Sequence, residues 1–249
     1  MIRRSLLNFM SQKRPAEPQD EMGARLLLMP FANVVHGKCR KCGKCADVCP
    51  TDAIDVSIEW TVDLGRCIFC MDCIESCPVS VIEEIPAPLY ATSRDGLLFS
   101  GSKPPKESNG TIDRAKAEIL GESIAIRELD TGSCNACEVE VNCMSNPYYD
   151  MSRFGMKIVA SPRHADVLLV TGPMARNMRE AALETFDAMP SPKVVVAMGT
   201  CAISGGIFVE GDVSGEGIKD TLEVDLYIPG CPPSPERVVL ALLRAFGRN

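Results

Sequence analysis

The chain has 249 residues, 46% of them apolar and 5% aromatic, and its 33 acidic and 26 basic side chains give a formal charge of −7. That length and apolarity suffice for one large or two smaller cores, so disorder throughout is excluded. So acidic a chain, with a pI near 5.0, lacks the general attraction to phosphate backbones that nucleic-acid binding needs, and no nucleic-acid partner is expected.

The first fourteen residues hold Arg3, Arg4, Lys13 and Arg14 and no acid, while Ile2, Leu6, Phe9 and Met10 fall on one face at helical spacing. Residues 1–30 are read as an amphipathic or extended segment suited to a membrane interface or to a partner's surface. Arg3-Arg4 does not open an export signal, because the apolar stretch stops at Met10 and Lys13-Arg14 follow. The longest uncharged window, Val194 to Val209, is interrupted by Gly199, Gly205 and Gly206. It falls short of the about 20 apolar residues that a spanning helix needs. The chain is expected to stay in the cytoplasm, where reducing conditions keep its 13 cysteines out of disulfides and free for metal or redox chemistry.

Residues 31–85 carry the strongest signal. Cys39, Cys42, Cys45 and Cys49 precede Pro50, and 28 residues later Cys67, Cys70, Cys73 and Cys77 precede Pro78 at the same spacing. Such a repeat means one supersecondary unit used twice, each copy expected as a short strand, a ligand loop and a helix. The spacing matches the bacterial two-cluster ferredoxin run, in which the fourth cysteine ligates the other cluster. Three cysteines on one tight loop reach three irons of a cubane, and the fourth, expected on the following helix, points across. Cys39, Cys42, Cys45 and Cys77 are therefore assigned to one 4Fe-4S cluster, and Cys67, Cys70, Cys73 and Cys49 to a second. The competing reading is tetrahedral zinc, but structural zinc usually takes its ligands as two pairs rather than two tandem runs of four. Between the runs, Val56, Ile58, Trp60 and Val62 alternate with polar residues, the period of a half-buried strand, and a β-hairpin is expected to join the copies. The expected class is an α+β ferredoxin-like two-cluster domain.

From residue 86 to 123 the periodicity weakens, and Gly96, Gly101, Pro104, Pro105, Ser108, Asn109 and Gly110 are turn formers, so this stretch is read as a linker. Ile112 to Leu120 is expected as a short helix. Residues 124–249 then alternate strands and helices. Ile124–Leu129, Met156–Ala160, Val167–Thr171, Val194–Met198 and Leu226–Ile228 read as strands and Arg176–Asp187 as the clearest helix. That pattern predicts an α/β open parallel sheet, flavodoxin-like, whose function gathers beyond the carboxyl ends of its strands.

Cys134 and Cys137 follow the first of these strands, Cys201 the fourth and Cys231 the fifth, so all four converge on that edge. Gly132, Gly199, Gly205 and Gly230 beside them permit close backbone approach, and Pro229, Pro232 and Pro233 stiffen the last loop. A third 4Fe-4S cluster is the economical reading, with zinc the alternative that widely separated thiolates also permit. Cys143 stands outside all three sets and reads as a buried free thiol. Glu138 and Glu140 suit either a proton relay and partner contact or acids favoured at a helix start. His36 and His164, the only histidines, have no histidine neighbour in sequence with which to form a metal site. His164 reads as structural or as a donor near the cluster, and Arg163 as a solvated charge or a partner's ion pair.

The segments Asp130–Glu140 (DTGSCNACEVE), Ser161–Asp166 (SPRHAD), Gly199–Gly206 (GTCAISGG) and Pro229–Pro233 (PGCPP) resemble the small-subunit family shared by group 4 membrane-bound nickel-iron hydrogenases and respiratory complex I. The front half, including Cys67-Ile-Phe-Cys70, resembles the ferredoxin subunit of formate hydrogenlyase, here fused to the rear half. The resemblance implies that Cys134, Cys137, Cys201 and Cys231 hold the cluster nearest a partner's active site. Complex I members carry two adjacent cysteines where this chain has Ala136 and Cys137, and the spacing Cys134-x2-Cys137 is similar to the hydrogenase branch. The family implies an oxidoreductase subunit with no catalytic group of its own. It relays electrons from a donor subunit or ferredoxin through three 4Fe-4S clusters to a nickel-iron large subunit, within a complex whose membrane subunits tether it to the cytoplasmic face of the inner membrane. A quinone-reducing complex I-like machine and a free ferredoxin-type carrier are the alternatives.

Overall fold

The computed structural model describes residues 30–34, 39–100, 112, 123–209, 211 and 213–248. The amphipathic start, His36 and, save for Ile112, the helix expected to Leu120 lie outside them.

In chain order the front half runs β1 (Pro30–Val34), α1 (Lys44–Asp47), β2 (Ile54–Asp55), β3 (Thr61–Asp63), α2 (Asp72–Glu75), β4 (Ile82–Pro86) and β5 (Leu98–Ser100). Each copy of the repeat is thus a strand, a ligand loop, one helical turn and a second strand. The copies interlock through antiparallel pairs, β1 with β4 and β2 with β3. The single strand expected over 56–62 is instead a hairpin. Asp55 accepts the Ser57 amide at 2.7 Å, which turns the chain, and Ile58 at the tip is 85% exposed. The alternation is therefore that of two short arms and a bend.

Residues 86–100, expected as part of a linker, are ordered by burial. Ala87, Leu89, Tyr90, Ala91 and Leu97 are all buried, and β5 extends the hairpin into a three-stranded sheet by pairing with β3. Ala91 bridges to Tyr227, and the buried Arg237 donates through Nη2 to Pro88 O at 2.6 Å. Turn formers dominate the sequence pattern here, yet enough apolar residues lie between them to be held by both halves.

The rear half contains β6 (Ile124–Asp130), α3 (Ala136–Cys143), β7 (Met156–Ile158), β8 (Val167–Thr171), α4 (Arg179–Ala188), β9 (Val194–Met198), α5 (Gly199–Ser204), β10 (Leu226–Ile228) and α6 (Pro235–Ala245). Its strands form one parallel sheet in the order β7-β6-β8-β9-β10, the doubly wound order with its switch point between β6 and β8. The unbroken apolar runs of β8 and β9 are buried at every position, as central parallel strands must be. The helix α6 starts where Ser234 accepts the Arg237 amide and Pro235 presets the first turn, and it lays Val238, Leu242 and Ala245 on one sheet face.

The other face of the sheet carries the front half. Trp60, Val62, Leu64, Leu97 and Phe99 belong to the same buried cluster as Leu168, Val170, Ala197, Ala202 and Ile203. The front half therefore acts as a covering layer of the parallel sheet, in the place a helix would otherwise take.

Candidate metal centres

The front thiols wall two cavities. One is lined by Cys39, Cys42, Cys45 and Cys77 with Val56, Trp60, Val79, Val81 and Ile82. The other is lined by Cys67, Cys70, Cys73 and Cys49 with Ala53, Ile54, Val62 and Ile68. Each space draws three thiols from one run and its fourth from the other, because the β1–β4 and β2–β3 pairings set the copies head to tail. The third cysteine of each run, rather than the fourth, sits on the helix. Cys45 and Cys73 lie within α1 and α2, and Cys49 and Cys77 fall just past their ends.

The electrostatics of these thiols define what they can hold. Burial, assisted by the neighbouring thiols and opposed by the Phe69 amide, pushes the Cys67 thiol up to about 12. Burial and then Cys70, Cys49 and Cys45 push Cys73 up to about 11. Burial likewise raises Cys45. Burial acts the same way at Cys77, but the amides of Val81, Val79, Ile82 and Ser80 turned toward its sulfur outweigh it and hold the thiol below its ordinary value. Thiols raised by burial ionise side by side around a positive core, which an iron-sulfur cluster supplies. Amides already face the sulfurs, with Phe69 N at 3.3 Å from Cys67 Sγ and Ala53 N at 3.3 Å from Cys49 Sγ. The indole Nε1 of Trp60 is buried on the wall of the first cavity, out of hydrogen-bond geometry with any acceptor yet near enough to the Cys45 thiol to favour its ionised form. A buried orphan donor costs about 1–3 kcal/mol, a cost that a sulfur acceptor inside the cavity removes.

The rear thiols meet at the carboxyl edge of the sheet. Cys134 lies on the loop after β6, Cys137 on the first turn of α3, Cys201 on α5 and Cys231 on the loop after β10. Burial raises Cys137, with Glu138, Cys201, Cys231 and Cys134 adding to it, and burial with Cys231 and Cys134 pushes Cys201 up to about 12. Gly199 has φ +85°, and a Cβ there would lie 2.7 Å from Cys137 Sγ, so any other residue would press into the thiol set. Among the described residues, no three histidine, cysteine, aspartate or glutamate side chains close on one point where a single metal ion could be held. Zinc draws its thiolates to about 2.3 Å.

The remaining candidates divide. Glu138 is buried beside Cys137 with both carboxylate oxygens unpartnered, and burial and then Glu138 raise the pKa of Glu128. Burial also raises that of Glu140. Cys143 ends α3 partly exposed, rather than buried as expected. Arg163 and His164 are exposed on a 3₁₀ turn leading into the amino end of β8, away from the thiol edge. Sequence reasoning missed two residues: Trp60, which it treated only as a strand position, and Thr200, whose contacts join both halves. Neither carries a local signal, since each acts through residues distant in the chain.

A chain with these thiol sets on this scaffold is an iron-sulfur oxidoreductase subunit. Residues 38–81 match the 4Fe-4S dicluster domain model, and residues 134–245 match the model of the NADH ubiquinone oxidoreductase 20 kDa subunit. The chain is 39% identical over 155 residues to formate hydrogenlyase subunit 7 of Escherichia coli, a match covering 57% of this chain and 61% of that protein. It is 38% identical to a probable membrane-bound hydrogenase subunit of Pyrococcus furiosus, covering 52% of this chain and 77% of the relative. It is 37% identical to an NADH-quinone oxidoreductase subunit of Carboxydothermus hydrogenoformans, covering 53% and 89%. The chain belongs to the NADH ubiquinone oxidoreductase 20 kDa subunit family, with a dicluster domain ahead of the family region. No described helix is long and apolar enough to cross a membrane.

Proposed function

We propose that this chain is the electron-transfer subunit of a group 4 nickel-iron hydrogenase complex of the formate hydrogenlyase type, with three 4Fe-4S clusters and its catalytic site on a partner large subunit. Cys39, Cys42, Cys45 and Cys77 hold one cluster, Cys67, Cys70, Cys73 and Cys49 the second, and Cys134, Cys137, Cys201 and Cys231 the third. When bound, each cluster supplies a one-electron redox step whose potential is set by thiolate ligation, hydrogen bonds to sulfur and burial. The observation that carries the reading is three groups of four thiols, two walling cavities of the front half and one gathered at the carboxyl edge of the parallel sheet.

The chain's own residues exclude water, orient the thiols and present a docking edge. Ile207 and Val213 are 56% and 62% exposed and flank an open groove with Gly132, Pro173, Ala175 and Phe208 beside the rear thiols. A partner covering that edge meets the rear centre first. Ala136 within Cys134-x2-Cys137 favours the hydrogenase branch, while the match to the NADH-quinone oxidoreductase subunit favours a quinone-reducing partner as the second reading. The complex is placed at the cytoplasmic face of the membrane through its other subunits, with a ferredoxin or donor subunit upstream.

The purified chain is expected to hold about twelve iron and twelve acid-labile sulfide atoms, as three cubanes require. A content of about eight removes the rear cluster from the proposal. Isolation of the native complex distinguishes the branches: a large subunit containing nickel supports the hydrogenase reading, and a nickel-free one overturns it.

A further inference from the structure

The rear site is not completed by the rear half alone. Cys201 sits on α5, a helix of six residues. Isolated helices shorter than about 12–15 residues are marginal in water, so α5 is held by its surroundings rather than by its own hydrogen bonds. On one side it meets the other rear ligands. The Thr200 amide donates to Gly230 O at 2.8 Å, which ties the residue before Cys201 to the residue before Cys231. A Cβ at Gly199 would stand 2.7 Å from Cys137 Sγ. The first turn of α5 therefore sets the spacing of three rear thiols.

On its other side α5 meets the front half. Thr200 is buried, with a relative exposure of 1%. Its hydroxyl has two carbonyls within reach, Cys67 O at 2.8 Å and Gly230 O at 3.1 Å. A hydroxyl has one proton to donate. Gly230 O already receives the Thr200 amide, so the nearer Cys67 O takes that proton. Ser204, one turn further on, repeats the contact, with Oγ donating to Gly65 O at 2.8 Å. Gly65 approaches α5 so closely that a Cβ would stand 2.8 Å from Ile203 Cγ2. The loop that accepts these bonds is shaped from its own half. The Arg66 and Cys67 amides donate to Asp63 O at 3.0 and 2.9 Å, and the Gly65 amide and Arg94 Nη1 to Asp63 Oδ1 at 2.8 and 2.7 Å.

We infer that Thr200 and Ser204 are positioning residues through which the Cys67 loop of the front half acts as a template for the rear site, fixing α5 so that Cys201 stands in register with Cys137 and Cys231. The inference rests on the reading that all three thiol sets hold clusters. Retention of the rear cluster is thereby a property of both halves, although its four ligands belong to one. Thr200→Val keeps the shape of the side chain and the amide bond to Gly230, and it removes the bond that crosses between the halves.

The test uses the full chain with its clusters, exposed without oxygen to a ferrous-iron chelator while electron paramagnetic resonance of frozen samples follows each centre. In Thr200→Val the rear signal is expected to decay at least about tenfold faster than in the wild-type chain, the low end of what losing a partner behind a ligand costs in metal affinity. Both front signals are expected to decay at their wild-type rates. Thr200→Ser, which restores the hydroxyl, is expected to restore retention. A rear signal in Thr200→Val that decays at the wild-type rate overturns the inference, and so does a loss that Thr200→Ser fails to reverse. Should Thr200→Val not fold, Gly65→Ala decides, because it presses on the same seam from the front half and leaves every cysteine in place. Its rear signal is expected to decay faster than in the wild-type chain, and an effect confined to the Cys67 centre overturns the inference. A wild-type chain with no rear signal overturns the reading of the rear site and the inference with it, whereas three clusters retained regardless of Thr200 overturn the inference alone.

Discussion

The front and rear thiol sets solve the same problem by different means. The eight front cysteines occupy two runs, Cys39–Cys49 and Cys67–Cys77, and two short hairpin-like pairings exchange the fourth member of each. The four rear cysteines span Cys134 to Cys231 and meet only because three strands end at one edge of a parallel sheet. The front sites therefore depend on local loops, and the rear site depends on strand order and on close backbone approach.

The sharpest test of that contrast is Gly199→Ala. Its Cβ would meet Cys137 Sγ at 2.7 Å at a φ of +85°, where a non-glycine residue adds about 1–2 kcal/mol of backbone cost. The rear signal in electron paramagnetic resonance is expected to disappear while both front signals remain. Retention of all three would show the rear set to be as tolerant as the front. Next comes Cys49→Ala. Crossed ligation requires it to remove the Cys67 centre and spare the Cys39 centre, although Cys49 belongs to the Cys39 run. Loss of the Cys39 centre instead would mean that each run serves itself.

Leu64→Ala probes where the contrast ends. Leu64 is fully buried in the cluster shared by both halves, so the change is expected to cost about 2–5 kcal/mol. Calorimetry should show one lowered transition for the whole chain, and two separate transitions would mean that the halves fold alone. The smallest effect expected is that of Trp60→Phe, which removes the orphan indole donor beside Cys45. It should move the midpoint potential of the Cys39 centre alone to a more negative value, since a hydrogen bond to sulfur stabilises the reduced, more anionic cluster. A shift at either other centre would place the indole elsewhere.

Much of this molecule was legible from residue order. The strands Val167–Thr171, Val194–Met198 and Leu226–Ile228 have the limits expected, and the two central ones, buried at every position, read as nearly unbroken apolar runs. Residues 86–100 were not legible. Their turn formers outweigh the scattered Leu89, Tyr90 and Leu97, whose burial depends on surfaces supplied by both halves. The bend at Ile58 was hidden for a related reason: an exposed isoleucine at a hairpin tip continues the alternation of the arms on either side.

Residue order alone determined the two front runs of four cysteines and the family, since run spacing and motif chemistry are properties of neighbours along the chain. Tertiary structure decided that the front half is a layer of the rear sheet, that Trp60 looks into one cavity, and that Thr200 ties the other to the rear centre. Those contacts join residues up to 149 positions apart, and a buried donor finds its acceptor by where the chain folds, which no local pattern encodes.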